Sequence, residues 1–214
     1  MQENAFDVTC SLCPRLAKHL KQVKKDYPTY YAKPVAPFGV SSPKLLVVGL
    51  APGMHGANAT GRPFTGDYAG ILLYETLYKF GFSNKPQSVA VDDGLKLKQC
   101  RITNAVKCLP PENKPIGAEI KTCNRFLAQE LSGLRKGTCV LVLGGIAHNA
   151  VLCALDLKKK DYAFGHGLRH ELPNGLRLFV SYHCSRYNTQ TRRLTEAMFH
   201  AVFKKIRQEI DSRQ

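Results

Sequence analysis

The sequence predicts an α/β fold, a three-layer α/β/α domain around a four-stranded parallel central sheet. Four short apolar runs alternate with helical patterns along the chain. Two of the runs are almost continuous in Val and Leu, as is typical of parallel strands that helices cover on both faces. The intervening stretches repeat apolar residues with helical spacing. The predicted strands are 45–50, 102–106, 139–143 and 176–182, and the predicted helices are 68–80, 117–134, 146–157 and 190–210.

The length of 214 residues is that of one medium-sized domain, and we expect a single domain over 1–214. Residues 1–43 are interpreted as an N-terminal helix and a Pro-rich arm, 83–98 as a loop, and 161–175 as a hairpin. No apolar run approaches the roughly 18 residues of a membrane span, and no targeting signal precedes the domain. The expectation is a soluble, cytoplasmic, monomeric protein without a membrane partner.

The chain is strongly basic, since 31 Lys and Arg against 16 Asp and Glu give a formal net charge of +15. An acidic partner follows from this excess, and nucleic acid is the obvious one. Charge alone is weak support, because the local concentrations at 18–25, 158–160 and 204–207 are typical of solvated faces.

Two pairs among the eight cysteines stand out by their context. Cys10 and Cys13 form a CxxC pair, while Cys108 and Cys123 lie in polar surroundings between predicted elements. Four thiolates suit either a [4Fe–4S] cluster or zinc, and ligand softness does not choose between them. The alternative is that the pairs are unrelated thiols. Cys139 and Cys153 are interpreted as small core residues.

The loop after the first strand, GLAPGMHGANATGRPFTGDYAG, holds six glycines in residues 49–70. Glycines allow backbone N–H groups to approach a ligand closely. The loop lacks the nucleotide fingerprints GxGxxG and GxxxxGK[ST]. Phe64 is either a core anchor or an aromatic platform for a planar ligand. Asp67 is either the cap of the next helix or a general base.

Polar side chains also follow the second and fourth strands, where ligands of parallel sheets bind. Asn104 offers a donor and an acceptor that match the edge of a nucleobase, or else satisfies loop backbone. His183 ends the fourth strand in SYHCSRYNTQTRR. The small polar and basic residues that follow suit phosphate contacts; they are Ser185, Arg186, Asn188 and Arg192.

Together these motifs resemble the uracil-DNA glycosylase superfamily, and within it the iron–sulfur branch closest to family five, or type B. The resemblance spans nearly the whole chain, through CSLC, the 49–70 loop, ITNAVKCLPPENKP, Cys123 and SYHCSRYNTQTRRLT. It implies the α/β/α fold and a structural [4Fe–4S] cluster on Cys10, Cys13, Cys108 and Cys123.

The function implied by the resemblance is that of a monofunctional DNA glycosylase in base excision repair. Such an enzyme flips out uracil, and other deaminated bases such as hypoxanthine, and hydrolyses the N-glycosidic bond. By this analogy Phe64 stacks on the base and Asn104 binds its pairing edge. His183 donates toward O2 of the base, assisted by the backbone of Ala51, Pro52 and Gly53.

The sequence departs from the better-known branches at two motifs. Leu50 stands where those branches carry a polar residue that positions water, and the family-five pattern compensates with Asp67. The usual His-Pro-Ser is here His183-Cys184-Ser185, which frees an N–H and is expected to loosen the loop. Asn188 steadies this motif or touches the sugar-phosphate, and Met54 and His55 are expected to help set the pocket width.

The alternative function is a non-catalytic, metal-stapled nucleic-acid-binding module. It shares the positive charge and the four cysteines but needs neither Asp67 nor Asn104. An iron–sulfur electron carrier is a poorer interpretation, since it has no use for the polar loops at the strand ends.

Overall fold

The computed structural model describes residues 6–212, and within them the strands form one six-stranded mixed sheet with the order β1-β3-β2-β4-β6-β5. Four neighbouring strands, β3, β2, β4 and β6, are parallel and make up the centre. The strands are β1 (Phe38–Gly39), β2 (Leu45–Gly49), β3 (Cys100–Asn104), β4 (Cys139–Leu143), β5 (Arg169–Glu171) and β6 (Arg177–Ser181).

The predicted four-stranded parallel core is therefore present, but the sheet extends further at both edges. β1 lies in the Pro-rich arm and pairs antiparallel with β3, while β5 forms a hairpin with β6. With two and three residues, β1 and β5 are too short to show a period in the sequence. The expectation of a hairpin within 161–175 was wrong in its bounds, because its second strand is β6.

Helices cover both faces of the sheet, which produces the three predicted layers. On β2, Leu45 and Val47 belong to the cluster formed with α3 and α7, whereas Leu46 and Val48 belong to the cluster formed with α4 and α5. Burial on both faces explains why the strands are continuously apolar, and each such side chain contributes about 1.5–3 kcal/mol. The helices are α1 (Pro14–Asp26), α2 (Ala57–Thr60), α3 (Tyr68–Lys79), α4 (Gly117–Ser132), α5 (Gly145–Ala154), α6 (Arg186–Gln190) and α7 (Glu196–Asp211).

The C-terminal helix begins later than predicted, and the expectation of one helix over 190–210 was wrong at its start. The short helix α6 precedes it, and a left-handed residue, Arg192 with φ 56°, breaks the chain between the two. Thr195 then caps α7 by accepting a hydrogen bond from the amide of Met198.

The N-terminal helix α1 packs beside the carboxyl end of β3. Its residues Leu16, Leu20 and Val23 are buried against Val106 and Phe126, in a third cluster that also contains cysteines. This packing holds the CxxC segment against the sheet. Across residues 6–212, the helices are all too short or too polar to cross a membrane.

Candidate active site and cysteine centre

A cleft of about 300 Å³ opens at the carboxyl ends of the parallel strands. The loops after β2, β3 and β6 all contribute to its walls, as expected for a ligand site in this kind of sheet. The four side chains that the sequence singled out, Phe64, Asp67, Asn104 and His183, all line it. The remaining lining residues are Leu50, Ala51, Pro52, Gly53, Tyr68, Ala69, Asn113, Ser185 and Arg186.

Phe64 is both a core residue and part of the cleft wall. It is 6% exposed and adopts a left-handed backbone with φ 59°, which is unusual for an aromatic residue. Its neighbours are glycines for a steric reason. A Cβ on Gly70 would lie 1.8 Å from the carbonyl oxygen of Phe64, and a Cβ on Gly49 would lie 2.7 Å from its ring. The two glycines therefore fix the direction of the ring.

Asn104 ends β3 and presents an unsatisfied acceptor to the cleft. The residue is 3% exposed, and its Oδ1 has no hydrogen-bond partner within residues 6–212. A buried acceptor without a partner costs about 1–3 kcal/mol, so a ligand that donates to it recovers that energy. Because Oδ1 accepts no hydrogen bond from loop backbone, it does not support the interpretation that Asn104 satisfies that backbone.

Within residues 6–212, Asp67 stands at the N-terminus of α3 without a hydrogen bond from its side chain to that helix. Its Oδ2 accepts instead from the amide of Ala57, at 3.1 Å. Burial raises the pKa of the Asp67 carboxyl above its ordinary value, and the Ala57 amide opposes this only partly. The interpretation as a helix cap through the side chain was thus wrong, and the carboxylate is available to the cleft.

His183 faces the ring of Phe64, with ring centroids 6.1 Å apart and planes inclined by 25°. Burial lowers the pKa of its imidazole to about 4, so the ring is neutral near pH 7. No hydrogen bond holds the ring nitrogens within the part of the chain described. A neutral imidazole still carries one N–H donor, which is free to meet a ligand.

The polar residues after His183 hold the motif together. Asn188 donates from Nδ2 to the carbonyl oxygen of His183 at 2.8 Å, and Ser185 caps α6 by accepting from the amide of Asn188. This geometry agrees with the interpretation that Asn188 steadies the motif.

The two candidate phosphate-binding arginines differ in position. Arg186 lines the cleft, and its guanidinium lies 5.8 Å from the centre of the Tyr68 ring. Arg192 is exposed at the left-handed break before α7 and is not among the residues that line the cleft.

The loop 51–55 divides between two surroundings. Ala51, Pro52 and Gly53 line the cleft, but Pro52 has no N–H, so only its two neighbours can donate. Met54 packs in the cluster around α1, and His55 bonds the hydroxyl of Tyr30 at 2.8 Å. The expectation that Met54 and His55 set the pocket width was therefore wrong.

Two cleft residues, Asn113 and Tyr68, were missed in the sequence. Asn113 has φ 56° and belongs to the PPEN turn that follows Cys108. From the sequence, this turn was interpreted only as a segment that cannot continue a strand or helix. Tyr68 was assigned to the helix after Asp67, and its 47% exposure could not be read from periodicity.

The four cysteines Cys10, Cys13, Cys108 and Cys123 line one small cavity between α1, the end of β3 and α4. The amide of Lys107 donates to Sγ of Cys123 at 3.3 Å. Burial and the neighbouring thiols raise the pKa of Cys108 to about 12. In residues 6–212, no three His, Cys, Asp or Glu side chains are arranged around a single metal ion. The four thiols nevertheless line the same cavity.

The other cysteines are separate from this cavity. Cys139 is buried in β4 as expected, but Cys153 is exposed on α5, so its assignment to the core was wrong. Cys184 is fully buried, and its thiol donates to the carbonyl oxygen of Ala69 at 3.3 Å. The expected loosening of the loop at Cys184 is not observed.

A two-pronged ion pair joins the segments that carry the cysteines. Arg15 donates from Nε and Nη2 to the two carboxylate oxygens of Glu119, at 2.7 and 2.8 Å. Arg15 also donates to the carbonyl oxygen of Lys114, and Glu119 accepts from the amide of Ile116. Arg15 follows Cys13 by two residues, and Glu119 precedes Cys123 by one helical turn. We call this pair the Arg15–Glu119 clasp.

A parallel α/β sheet whose strand ends bring an aromatic ring, an amide, an imidazole and a carboxylate to one cleft is typical of enzymes with a small-molecule or base-sized site. The family model described as the uracil DNA glycosylase superfamily matches residues 36–207. The chain therefore belongs to the uracil DNA glycosylase superfamily.

Curated relatives match nearly the full length. The chain is 44% identical to a type-5 uracil-DNA glycosylase of Thermus thermophilus, over 93% of this chain and 94% of that protein. It is 43% identical to one of Pyrobaculum aerophilum, over 88% and 83% of the two chains. It is 40% identical to one of Mycobacterium leprae, over 94% and 91%.

Proposed function

We propose that this chain is a monofunctional uracil-DNA glycosylase that acts in base excision repair. It takes uracil, and other deaminated bases such as hypoxanthine, out of the DNA stack and hydrolyses the N-glycosidic bond. The family membership and the names of the relatives support this function at the level of the enzyme class. The net charge of +15 supports DNA as the partner.

The observation that carries the proposal is the meeting of Phe64, Asn104, His183 and Asp67 around one cleft. The unpartnered Oδ1 of Asn104 is an acceptor, its amide nitrogen is a donor, and both suit the N3–H and O4 edge of uracil. Phe64 supplies a flat apolar surface for the base. A non-catalytic DNA-binding module has no use for this set.

The leaving base is assisted by neutral donors. As the bond between N1 and C1′ breaks, its electron pair moves into the uracil ring and negative charge builds on O2. The imidazole N–H of His183 and the amides of Ala51 and Gly53 stabilise that charge. The low pKa of His183 keeps the ring a neutral donor, because burial opposes its protonation.

The sugar that remains carries positive charge, and Asp67 acts on this side. Its carboxylate stabilises the cation and accepts a proton from the water that attacks C1′, leaving an abasic site and free uracil. A raised pKa makes Asp67 a stronger base than an exposed aspartate. The described residues that line the cleft include no lysine, which supports hydrolysis without a Schiff base.

We also propose that Cys10, Cys13, Cys108 and Cys123 hold a [4Fe–4S] cluster. Zinc needs four sulfurs at about 2.3 Å from one point, whereas each thiolate of a cluster binds a different iron around a cavity. All four thiols line one cavity, and the resemblance to the iron–sulfur branch favours the cluster over zinc. When bound, it supplies a structural cross-link between α1, β3 and α4 and takes no part in the hydrolysis.

The proposal includes one domain over 1–214, with 1–43 serving as the arm that delivers Cys10 and Cys13. It also includes contacts of Ser185 and Arg186 with the DNA phosphates. Arg192 has no support from the cleft geometry, because it is not among the residues that line it.

The deciding experiment is a base-release assay with uracil, hypoxanthine and xanthine in duplex and single-stranded DNA. We expect free uracil from wild-type protein, and severe loss of release with retained DNA binding for Asp67→Ala and His183→Ala. Binding without release by wild-type protein would favour the non-catalytic module. Wild-type rates for both variants would overturn the assigned roles.

A further inference from the structure

Three consecutive residues around His183 are each tied to a different part of the fold. The amide of Tyr182 donates to Nδ1 of His166 at 3.3 Å. The carbonyl oxygen of His183 accepts from Asn188, and the thiol of Cys184 donates to the carbonyl oxygen of Ala69. His166 precedes β5, Asn188 lies in α6 and Ala69 lies in α3, so the motif is held from three sides.

His166 continues the edge of the sheet where strand pairing stops. Gly167 and Leu168 still exchange backbone hydrogen bonds with Val180, but at Tyr182 the imidazole of His166 replaces the missing strand. Because Nδ1 accepts, Nε2 carries the proton and donates to the carbonyl oxygen of Met198 in α7, at 3.3 Å. The His166 ring also stacks on Tyr182, with centroids 5.2 Å apart.

Cys184 connects the segment that carries His183 with the helix that begins after Asp67. The residue is fully buried and belongs to the same cluster as Phe64 and Ala69. Its acceptor, the carbonyl oxygen of Ala69, lies two residues after Asp67 in the first turn of α3. The thiol therefore ties the His183 segment directly to the helix that presents Asp67.

We propose that His166 and Cys184 are positioning residues that fix the imidazole of His183 opposite Phe64 and Asp67. The ring of His183 has no hydrogen bond of its own in residues 6–212, so its placement depends on its packing against Phe64 and on the position of its backbone. The hydrogen bonds of Tyr182 and Cys184, its two neighbours in the chain, constrain that backbone. This inference rests on the proposed role of His183.

The test uses single-turnover base release from a uracil-containing duplex, with conservative variants and matched controls. Cys184→Ala and His166→Leu are expected to lower the rate by about tenfold or more, as for small misplacements of a reacting group. Cys184→Ser and His166→Asn, which retain a donor and an acceptor, are expected to stay within about threefold of wild type. Cys100→Ala and His200→Leu are the controls, because they alter a fully buried cysteine and a half-buried histidine elsewhere.

Combination with His183→Ala separates positioning from general damage to the fold. If His166 and Cys184 act through the imidazole, their substitution adds no further loss in the His183→Ala background. An undiminished loss in that background, failure of the conservative variants to rescue, or full activity of Cys184→Ala and His166→Leu would overturn the inference. Wild-type activity of His183→Ala alone would instead overturn the proposed role of His183, and absence of base release by the wild-type protein would overturn the proposed function.

Discussion

A Cβ atom added to Gly56 would lie 1.9 Å from Oδ1 of Asp67, too close for any side chain. A Cβ on Gly53 would lie 2.3 Å from the same oxygen, and one on Gly49 would lie 2.5 Å from Oδ1 of Asn104. These glycines thus make room for the protein's own polar groups. Gly53 also lines the cleft, and Gly49 lies against the ring of Phe64. The Gly-rich loop therefore leaves space for Asp67, Asn104 and Phe64.

Gly56→Ala should therefore displace the Asp67 carboxylate without reaching the cleft itself. We expect the rate of base release to fall by about 100-fold, the order of loss that a displacement near 1 Å can cause. Gly117→Ala is the matched control, since a Cβ there meets no atom within 4 Å. Single-turnover assays and thermal melts of both variants make the comparison. Equal activity of the two variants would show that Asp67 tolerates displacement.

The central strands and the side chains of the cleft could be predicted because they follow from local rules. Strands buried on both faces are continuously apolar, and ligand groups follow the carboxyl ends of parallel strands. Asp67, Asn104 and His183 each occupy such a position. Their meeting in one cleft follows from the sheet order, which the spacing of the motifs alone does not give.

Features that depend on distant contacts could not be predicted. Edge strand β1 exists because two residues of the arm pair with β3. The late start of α7 depends on the left-handed Arg192, and the thiol of Cys184 donates its hydrogen bond to a carbonyl oxygen 115 residues away. The exposure of Cys153 depends on which face of α5 packs on the sheet. None of these leaves a periodic signal in the chain.

Asn104→Leu should separate binding of the base from stability of the fold. The change removes a buried acceptor without a partner, so the free energy of unfolding is expected to stay equal or rise. Base release should fall. The transition-state stabilisation measured by kcat/KM is expected to drop by roughly 1–3 kcal/mol, the energy of a lost bidentate contact to the base. Chemical denaturation and steady-state kinetics measure the two effects.

Asn124→Leu is the control for Asn104→Leu, and its expected result is the reverse. Asn124 is also buried, but its Nδ2 donates to the carbonyl oxygen of Ala150 at 2.8 Å. Its loss removes that buried hydrogen bond and should cost about 0.5–1.5 kcal/mol of stability, with little change in kcat/KM. A strongly destabilised Asn104→Leu would contradict the idea that its Oδ1 is reserved for a ligand.

Base release should fall on the acid side because Asp67 acts in its ionised form. Burial raises the pKa of Asp67, so it takes up a proton at higher pH than an exposed aspartate, and activity declines as pH falls through that pKa. His183 has a pKa of about 4 and is neutral above that pH, so its protonation does not lower activity near neutral pH. Single-turnover rates over a pH series from the acid side to neutral pH should show one acid limb that Asp67→Asn removes. An unchanged limb in Asp67→Asn would assign it to another group.

Arg186→Gln should weaken binding to DNA and lower its dependence on salt. Arg186 lines the cleft, whereas Arg192 does not. Removal of one phosphate contact reduces the slope of log affinity against log salt by about 0.9. Arg192→Gln is the control and should leave the slope unchanged. Fluorescence anisotropy over a salt series measures both, and a slope lowered only by Arg192→Gln would reverse the assignment.

Arg15→Gln should impair cluster assembly, because the Arg15–Glu119 clasp joins α1, which directly follows Cys13, to α4, which carries Cys123. The variant keeps all four cysteines but loses the two-pronged pair at 2.7 and 2.8 Å. We expect lower iron and sulfide content after purification and faster loss of the visible absorbance in the presence of a chelator.

Arg169→Gln is the matched control for Arg15→Gln. Arg169 also contacts carboxylates, those of Glu171 and Glu209 at 2.9 Å, but it lies far along the chain from the four cysteines. Equal iron content in the two variants would show that the cysteines assemble without the clasp, and a colourless wild-type protein with stoichiometric zinc would contradict the cluster itself.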